Sequence, residues 1–101
     1  MSDQIRSTMV TIKNPQGLHM RPAYLFAETA SKFESRIEVI KDDIRIDGKS
    51  VLSILTLGAT QGSQVSLEAT GADAQDAIEI LEELLNSGFP APAESGDSGT
   101  S

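Results

Sequence analysis

With 101 residues, of which 39% are hydrophobic and 23% charged, the chain has the size and balance of one globular domain and too little length for two independent cores. Eight Lys and Arg against fifteen Asp and Glu leave a net charge of -7, which argues against a nucleic-acid partner because a phosphate backbone is tracked by clustered cations. The absence of cysteine excludes disulfides, thiolate zinc sites and a Cys nucleophile, and the single histidine excludes any site built on two imidazoles.

Residues 8–13 put Val10 and Ile12 on one face and Met9, Thr11 and Lys13 on the other, the period of two of a half-buried strand. Asn14-Pro15-Gln16-Gly17 ends it. From Pro22 onward, Ala23, Phe26, Ala27, Ala30 and Phe33 recur at three and four, one stripe of a helix. Its first turn must hold Pro22, since proline has no N–H to contribute deeper in. The helix therefore begins beside His19. Ile37 with Val39, and Ile44 with Ile46, alternate in two short strands that reverse at Asp42-Asp43, a poorer tight turn than Asn-Gly that leaves the loop type open. Ser50 is placed to cap a short helix carrying Val51, Leu52, Ile54, Leu55 and Leu57, with Gly58 just past its end. Val65, Leu67 and Ala69 alternate in a last strand between Gly62 and Gly71. Asp73 is placed to cap a final helix with the stripe Ala77, Ile80, Leu81 and Leu84, stopped by Gly88.

The order βαββαβα gives four strands with one apolar face each and three amphipathic helices, which bury one another most simply as a two-layer α+β sandwich with every helix on one side of the sheet. Residues 1–88 form this domain. Residues 89–101, rich in Pro, Ala, Ser and Gly with acidic side chains, are expected to be a flexible tail, because they cannot bury enough apolar surface to offset ordering. No apolar run approaches the roughly 20 residues that cross a bilayer, and the first eight residues carry no apolar signal core. A soluble, unprocessed, cytosolic chain is the expectation.

The chemistry concentrates in Gly17-Leu18-His19-Met20-Arg21-Pro22-Ala23. An imidazole stands at the mouth of a helix whose free N–H groups and positive dipole end favour an anion. Two residues on, Arg21 can fork onto phosphoryl oxygens. Histidine is also the side-chain type that ordinarily titrates near neutrality. Such a site suits an imidazole nitrogen that accepts a phosphoryl group and gives it up again, leaving much of the remaining machinery to partners. Taken alone, a His-x-Arg-Pro run at a helix start is more often plain capping and surface polarity, so the residues leave both readings open. The second feature is Lys49-Ser50. The hydroxyl of Ser50 is an ordinary N-cap, and the same position would also welcome a phosphate on the serine; the physics alone favours the cap. Val51, Leu52, Ile54 and Leu55 are too many apolar residues for one face of two turns, so at least one is expected to face solvent.

Gly17-Leu18-His19-x-Arg21-Pro22-Ala23, then Ala30-Ser31-Lys32-Phe33, then Lys49-Ser50 ahead of apolar residues and Leu57-Gly58, together resemble HPr, the family of histidine-containing phosphocarriers of the phosphoenolpyruvate-dependent sugar phosphotransferase system. The resemblance runs from residue 8 to residue 88 without a large gap. It implies an open-faced βαββαβα sandwich with a four-stranded antiparallel sheet ordered 1-4-2-3. It further implies that His19 accepts a phosphoryl group on Nδ1 from phosphorylated enzyme I and passes it to an enzyme IIA domain, with Arg21 stabilising the group in transfer. Ser50 falls where a dedicated serine kinase (and a matching phosphorylase) would act, with a transcription regulator as a further partner in carbon catabolite regulation. Met20, Val51, Leu52 and Leu55 fall where the family docks partners. The implied protein is a bacterial, cytoplasmic monomer with no cofactor, no metal and no membrane insertion, a substrate of partner enzymes more than an enzyme. Two residues depart from the pattern. Met20 stands where the family usually has alanine, which bears on partner choice, and Ser53 replaces a common glycine, which bears on recognition of Ser50.

Three functions compete at this level. The leading one is a phosphoryl carrier for sugar uptake. The second is the same carrier chemistry in a regulatory, nitrogen-related branch. The third is a binding module switched by phosphorylation of Ser50, a reading that leaves the imidazole beside Arg21 without a purpose. A stand-alone hydrolase or transferase would lack a base-and-nucleophile pair.

Overall fold

In the computed structural model, which describes residues 4–89, the chain runs β1 (Gln4–Thr11), α1 (Met20–Ala30), β2 (Arg36–Lys41), β3 (Ile44–Asp47), α2 (Val51–Thr56), β4 (Gln64–Gly71) and α3 (Ala74–Asn86). The strands form one antiparallel sheet in the order β1-β4-β2-β3, the expected α+β arrangement. Register follows the hydrophobic alternation: Val10 lies opposite Val65, Val39 opposite Leu67 and Ile37 opposite Ala69. All six are buried and belong to one core with Ala23, Phe26 and Ala27 of α1, Ile54 of α2, and Ile78 and Leu81 of α3. The helices therefore cover a single face of the sheet. Burying a side chain such as Phe26 or Leu81 is worth about 1.5–3 kcal/mol each. Arg6 and Thr8 add polar ties from β1 to α3, through Gln75 at 2.9 Å and Glu82 at 3.2 Å.

The β2–β3 reversal is a two-residue loop in which Asp42 and Asp43 both adopt left-handed backbone, φ 51 and 70. That is the type I′ geometry whose twist matches the flanking strands, and aspartate tolerates it better than most residues. Ser50 caps α2 as expected, its Oγ accepting from the Ser53 amide at 3.2 Å, and Gly58 follows the helix at φ +66.

Four expectations need correction. Ile44 is exposed, because it opens the edge strand β3 directly after the turn. The buried stripe of α3 is Ala74, Ala77, Ile78, Leu81 and Leu85, with Ile80 exposed. Both stripes obey three-and-four spacing, and docking against β1 and β4 selects the one rotated toward Ile78. Asp73 precedes α3 without capping it through its side chain. Its carboxylate instead accepts from the amides of Glu34 and Ser35, each at 2.9 Å, and from the Ser35 hydroxyl. These bonds hold its pKa below the ordinary carboxylate value, the Ser35 hydroxyl contributing most. Finally, Phe89, assigned to the tail, is buried in the core. Its ring is large and apolar, and the turn after α3, with Gly88 and Phe89 both at positive φ, folds it back. The rest of the expected tail, residues 90–101, lies outside the described residues.

Candidate functional site

The loop between β1 and α1 is tightly constrained. Gly17 donates to the carbonyl of Asn14 at 2.9 Å, the Asn14 side-chain amide donates back to the carbonyl of Gly17, and Leu18 donates to the carbonyl of Ala59 at 3.0 Å. Gly17 has φ +70, and a Cβ there would meet the Ala59 carbonyl oxygen at 2.4 Å. Only glycine allows the loop to lie this close to the segment after α2. The buried side chain of Leu18 anchors the next residue, and His19 is then presented at the start of α1.

His19 is the N-cap of α1, with extended backbone at φ -84 and ψ -167, and its side chain makes no capping bond. Its carbonyl accepts from Ala23 at 2.9 Å to open the helix, while the residue as a whole is exposed. An imidazole not engaged in capping thus stands beside the unsatisfied amides of the first turn of an 11-residue helix. Pro22 is buried in that first turn, where its missing N–H costs no helical bond. Arg21 is half-buried, and its Nη1 donates to the carbonyl of Phe89 over a long 3.4 Å. His19, Arg21, Pro22, Asn14, Gln16 and Phe89 line one open cavity of about 280 Å³. A guanidinium and an imidazole therefore share a wall, with helix-start amides beside them.

The family described as "PTS HPr component phosphorylation site" matches residues 6–87. The chain belongs to the HPr phosphocarrier family. It is 40% identical over 80 residues to the phosphocarrier protein HPr of Neisseria meningitidis, covering 79% of this chain and 90% of that one. The crystal structure of HPr-C-His from Thermoanaerobacter tengcongensis superposes with a TM-score of 0.82 at 45% identity, covering 86% of this chain and 98% of that one. A longer relative also matches: the phosphoryl donor subunit DhaM of a PEP-dependent dihydroxyacetone kinase from Providencia stuartii. It is 36% identical over 99 residues, 98% of this chain and 21% of that protein.

Beside this cavity, α1 and α2 pack on each other and carry an exposed apolar face. Leu52 is 75% exposed, and Met20 and Tyr24 are exposed on α1. Val51 and Leu55, by contrast, are half-buried and packed against the core, which limits what they present outward. Tyr24 and Val51 line one groove, so the faces of the two helices are continuous. Sequence reasoning passed over Tyr24, although its position off the buried stripe of α1 marks it as outward. Lys49, next to Ser50, donates from Nζ to the carbonyl of Phe33 at 2.8 Å, and its amide donates to Asp47 Oδ1 at 2.9 Å. The first ties the start of α2 to the segment that follows α1, and the second closes the turn between β3 and α2. Asn14 and Phe89 were also passed over as site residues. The turn signal around Asn14 pointed to the loop and not to the cavity wall, and the prolines after Phe89 read as tail. Among the described residues no group of three or more His, Cys, Asp or Glu converges, and no helix is long and apolar enough to cross a membrane.

Proposed function

We propose that this HPr-family chain is a phosphoryl carrier in which His19 Nδ1 is the acceptor, phosphorylated enzyme I the donor and an enzyme IIA domain the recipient. The observation that carries the reading is the imidazole of His19, exposed at the N-cap of α1 and without a capping bond. In transfer, the lone pair of Nδ1 forms the new N–P bond while the bond from phosphorus to the donor breaks, and the leaving group keeps that electron pair. The second transfer repeats the exchange with His19 as leaving group. The amides of the first turn and the Arg21 guanidinium supply donors to the phosphoryl oxygens as charge shifts among them. A helix start contributes about 0.3–1 kcal/mol per exposed charge, enough to place a phosphoryl group and weak enough to release it. No base is required, so the chain is a carrier and its partners are the catalysts. Met20 and Leu52, with the outer edges of Val51 and Leu55, form the docking face.

Ser50 is the regulatory position in this reading. A phosphate there would sit at the amides of α2 and place charge at the rim of the docking face, weakening the contact with partners. A serine kinase and phosphorylase would set that state, and a transcription regulator would read it. The match to the DhaM subunit along nearly the whole of this chain supports a second destination, in which the same phosphoryl group leaves for a small-molecule kinase rather than a sugar transporter. The test loads the chain with phosphoenolpyruvate and enzyme I, removes the donor and adds a candidate recipient domain. Phosphate appearing on the recipient in proportion to its loss from the chain supports the carrier role; phosphate that stays on the chain with every recipient from its own organism refutes it.

A further inference from the structure

Asn14 Oδ1 is the one buried side-chain nitrogen or oxygen among the described residues without a hydrogen-bond partner, and Asn14 lies on the wall of the His19 cavity. Asn14 is 7% exposed. Its other amide atom faces the Gly17 carbonyl, and since a carbonyl only accepts, that atom must be the nitrogen. Oδ1 is therefore the atom in need of a donor. A buried carbonyl oxygen that has lost water and gained nothing is an uncommon and unfavourable arrangement.

The donors around it are few. Pro15 and Pro22 have no N–H. The Gly17 and Leu18 amides are committed to Asn14 and Ala59, and those of Gly88 and Phe89 to Leu85 and Ser87. The Arg21 guanidinium reaches Phe89. The first-turn amides of α1 are the donors for an incoming phosphoryl group. Gln16 carries an amide on an exposed side chain. The backbone amides of Gln16 and His19, fixed in the loop, do not reach it either. Among the described residues that line the cavity, the imidazole of His19 is the donor that can move to it: a ring N–H on two torsions, anchored at an extended N-cap.

We infer that Asn14 is a positioning residue for His19, its Oδ1 accepting from the imidazole Nε2–H so that Nδ1 keeps its lone pair and faces the helix mouth. The inference rests on the proposed role of His19 Nδ1. A neutral imidazole has one donor and one acceptor nitrogen, and an oxygen held against one of them selects the tautomer. In the structure His19 is exposed and this bond is not formed; forming it requires the ring to turn about χ1 and χ2 toward the cavity wall and displace what now covers Oδ1. Attack by the Nδ1 lone pair leaves a phosphoimidazolium that still carries Nε2–H, and the same bond holds the ring in that form. The two ends of one amide then serve two purposes: Nδ2 clamps the loop and Oδ1 orients the nucleophile.

The test reads the imidazole ¹⁵N chemical shifts of His19 in the neutral state. In the wild type the Nε2–H tautomer dominates. In Asn14→Ala the minor Nδ1–H tautomer rises several-fold. Asn14→Asp sets an oxygen against the Gly17 carbonyl and so loses stability, yet it keeps an acceptor for the ring and keeps the wild-type tautomer. A tautomer mixture in the wild type, which needs no variant, overturns the inference. So does an unchanged ratio in Asn14→Ala, or an Asn14→Asp that behaves like alanine; a purely structural loop clamp gives lower stability in both variants with no change of tautomer. Phosphorylation by enzyme I is measured on the same samples. A locked tautomer without phosphorylation retires the carrier reading, and phosphorylation with a mixed tautomer retires this inference alone.

Discussion

Gly17 and Gly58 offer a matched pair for testing whether the His19 loop is held by close backbone approach. Their φ angles are nearly equal, +70 and +66, so alanine at either position incurs the left-handed penalty of about 1–2 kcal/mol. The surroundings differ. A Cβ at Gly58 meets nothing within 4 Å, whereas at Gly17 it lies 2.4 Å from the Ala59 carbonyl oxygen and 2.8 Å from Thr60 Cα. Those atoms are backbone and cannot swing away. Restoring ordinary contact requires the two segments to part by about 1 Å, which stretches the 3.0 Å bond from Leu18 to Ala59 out of range. Leaving those groups unpaired adds about 1–3 kcal/mol. Gly17→Ala should therefore cost about 2–5 kcal/mol and Gly58→Ala about 1–2 kcal/mol. With a urea slope of about 1 kcal/mol/M for so small a domain, the midpoint of Gly17→Ala should fall about 1–3 M below that of Gly58→Ala, with slopes unchanged. Phosphorylation by enzyme I should slow in Gly17→Ala and not in Gly58→Ala. Equal losses in the two variants, within about 0.5 kcal/mol, would refute the argument that close approach positions His19.

Other variants probe other links. Ile78→Ala should cost about 2–5 kcal/mol as a core truncation, while Ile80→Ala should stay within about 1 kcal/mol as a surface change; urea denaturation of both tests the rotation of α3. Ser50→Ala should lose about 1 kcal/mol by removing the acceptor for the Ser53 amide, while Ser50→Asp, which retains a capping oxygen, should lose less in the same assay. Asp73 has a folded pKa below its unfolded value, so the unfolded state binds its proton first: its contribution is full above about pH 4 and lost as pH falls through the lower folded value. Stability measured between pH 7 and 2 should consequently fall less steeply on the acid side in Asp73→Asn, and an unchanged acid limb would contradict the Ser35 latch. Arg21→Lys should slow phosphoryl transfer while leaving the urea midpoint nearly unchanged, because it keeps the charge and loses the fork; a stability loss with normal transfer would reverse that assignment.

The element order and most core faces are legible in the sequence because they rest on local rules. Pro22 has one tolerable place in α1 and thereby locates His19 at the N-cap. Ile37 and Val39 flank Glu38, Val65 and Leu67 flank Ser66, and that alternation sets the sheet face. What escapes the sequence depends on distant partners. Asp73 has the composition of an N-cap, yet its carboxylate is drawn to Ser35, 38 residues earlier in the chain. Two stripes on α3 satisfy the same spacing, and only the sheet chooses Ile78 over Ile80. Phe89 is followed by Pro-Ala-Pro-Ala, whose composition hides a ring that packs back into the core. At the site, the imidazole, the guanidinium and the helix start are adjacent in sequence and so can be read together. Asn14 reaches the cavity wall only through the turn at Gly17, and its unsatisfied Oδ1 is visible only in three dimensions.

The central claim is that His19 is the atom-level acceptor of a phosphoryl group. Its most direct test is the intact mass of the chain after incubation with phosphoenolpyruvate and a matched enzyme I. The account predicts an adduct of one phosphate that disappears in acid and is absent from His19→Ala. No adduct on the wild type, or an equal one on His19→Ala, would contradict it.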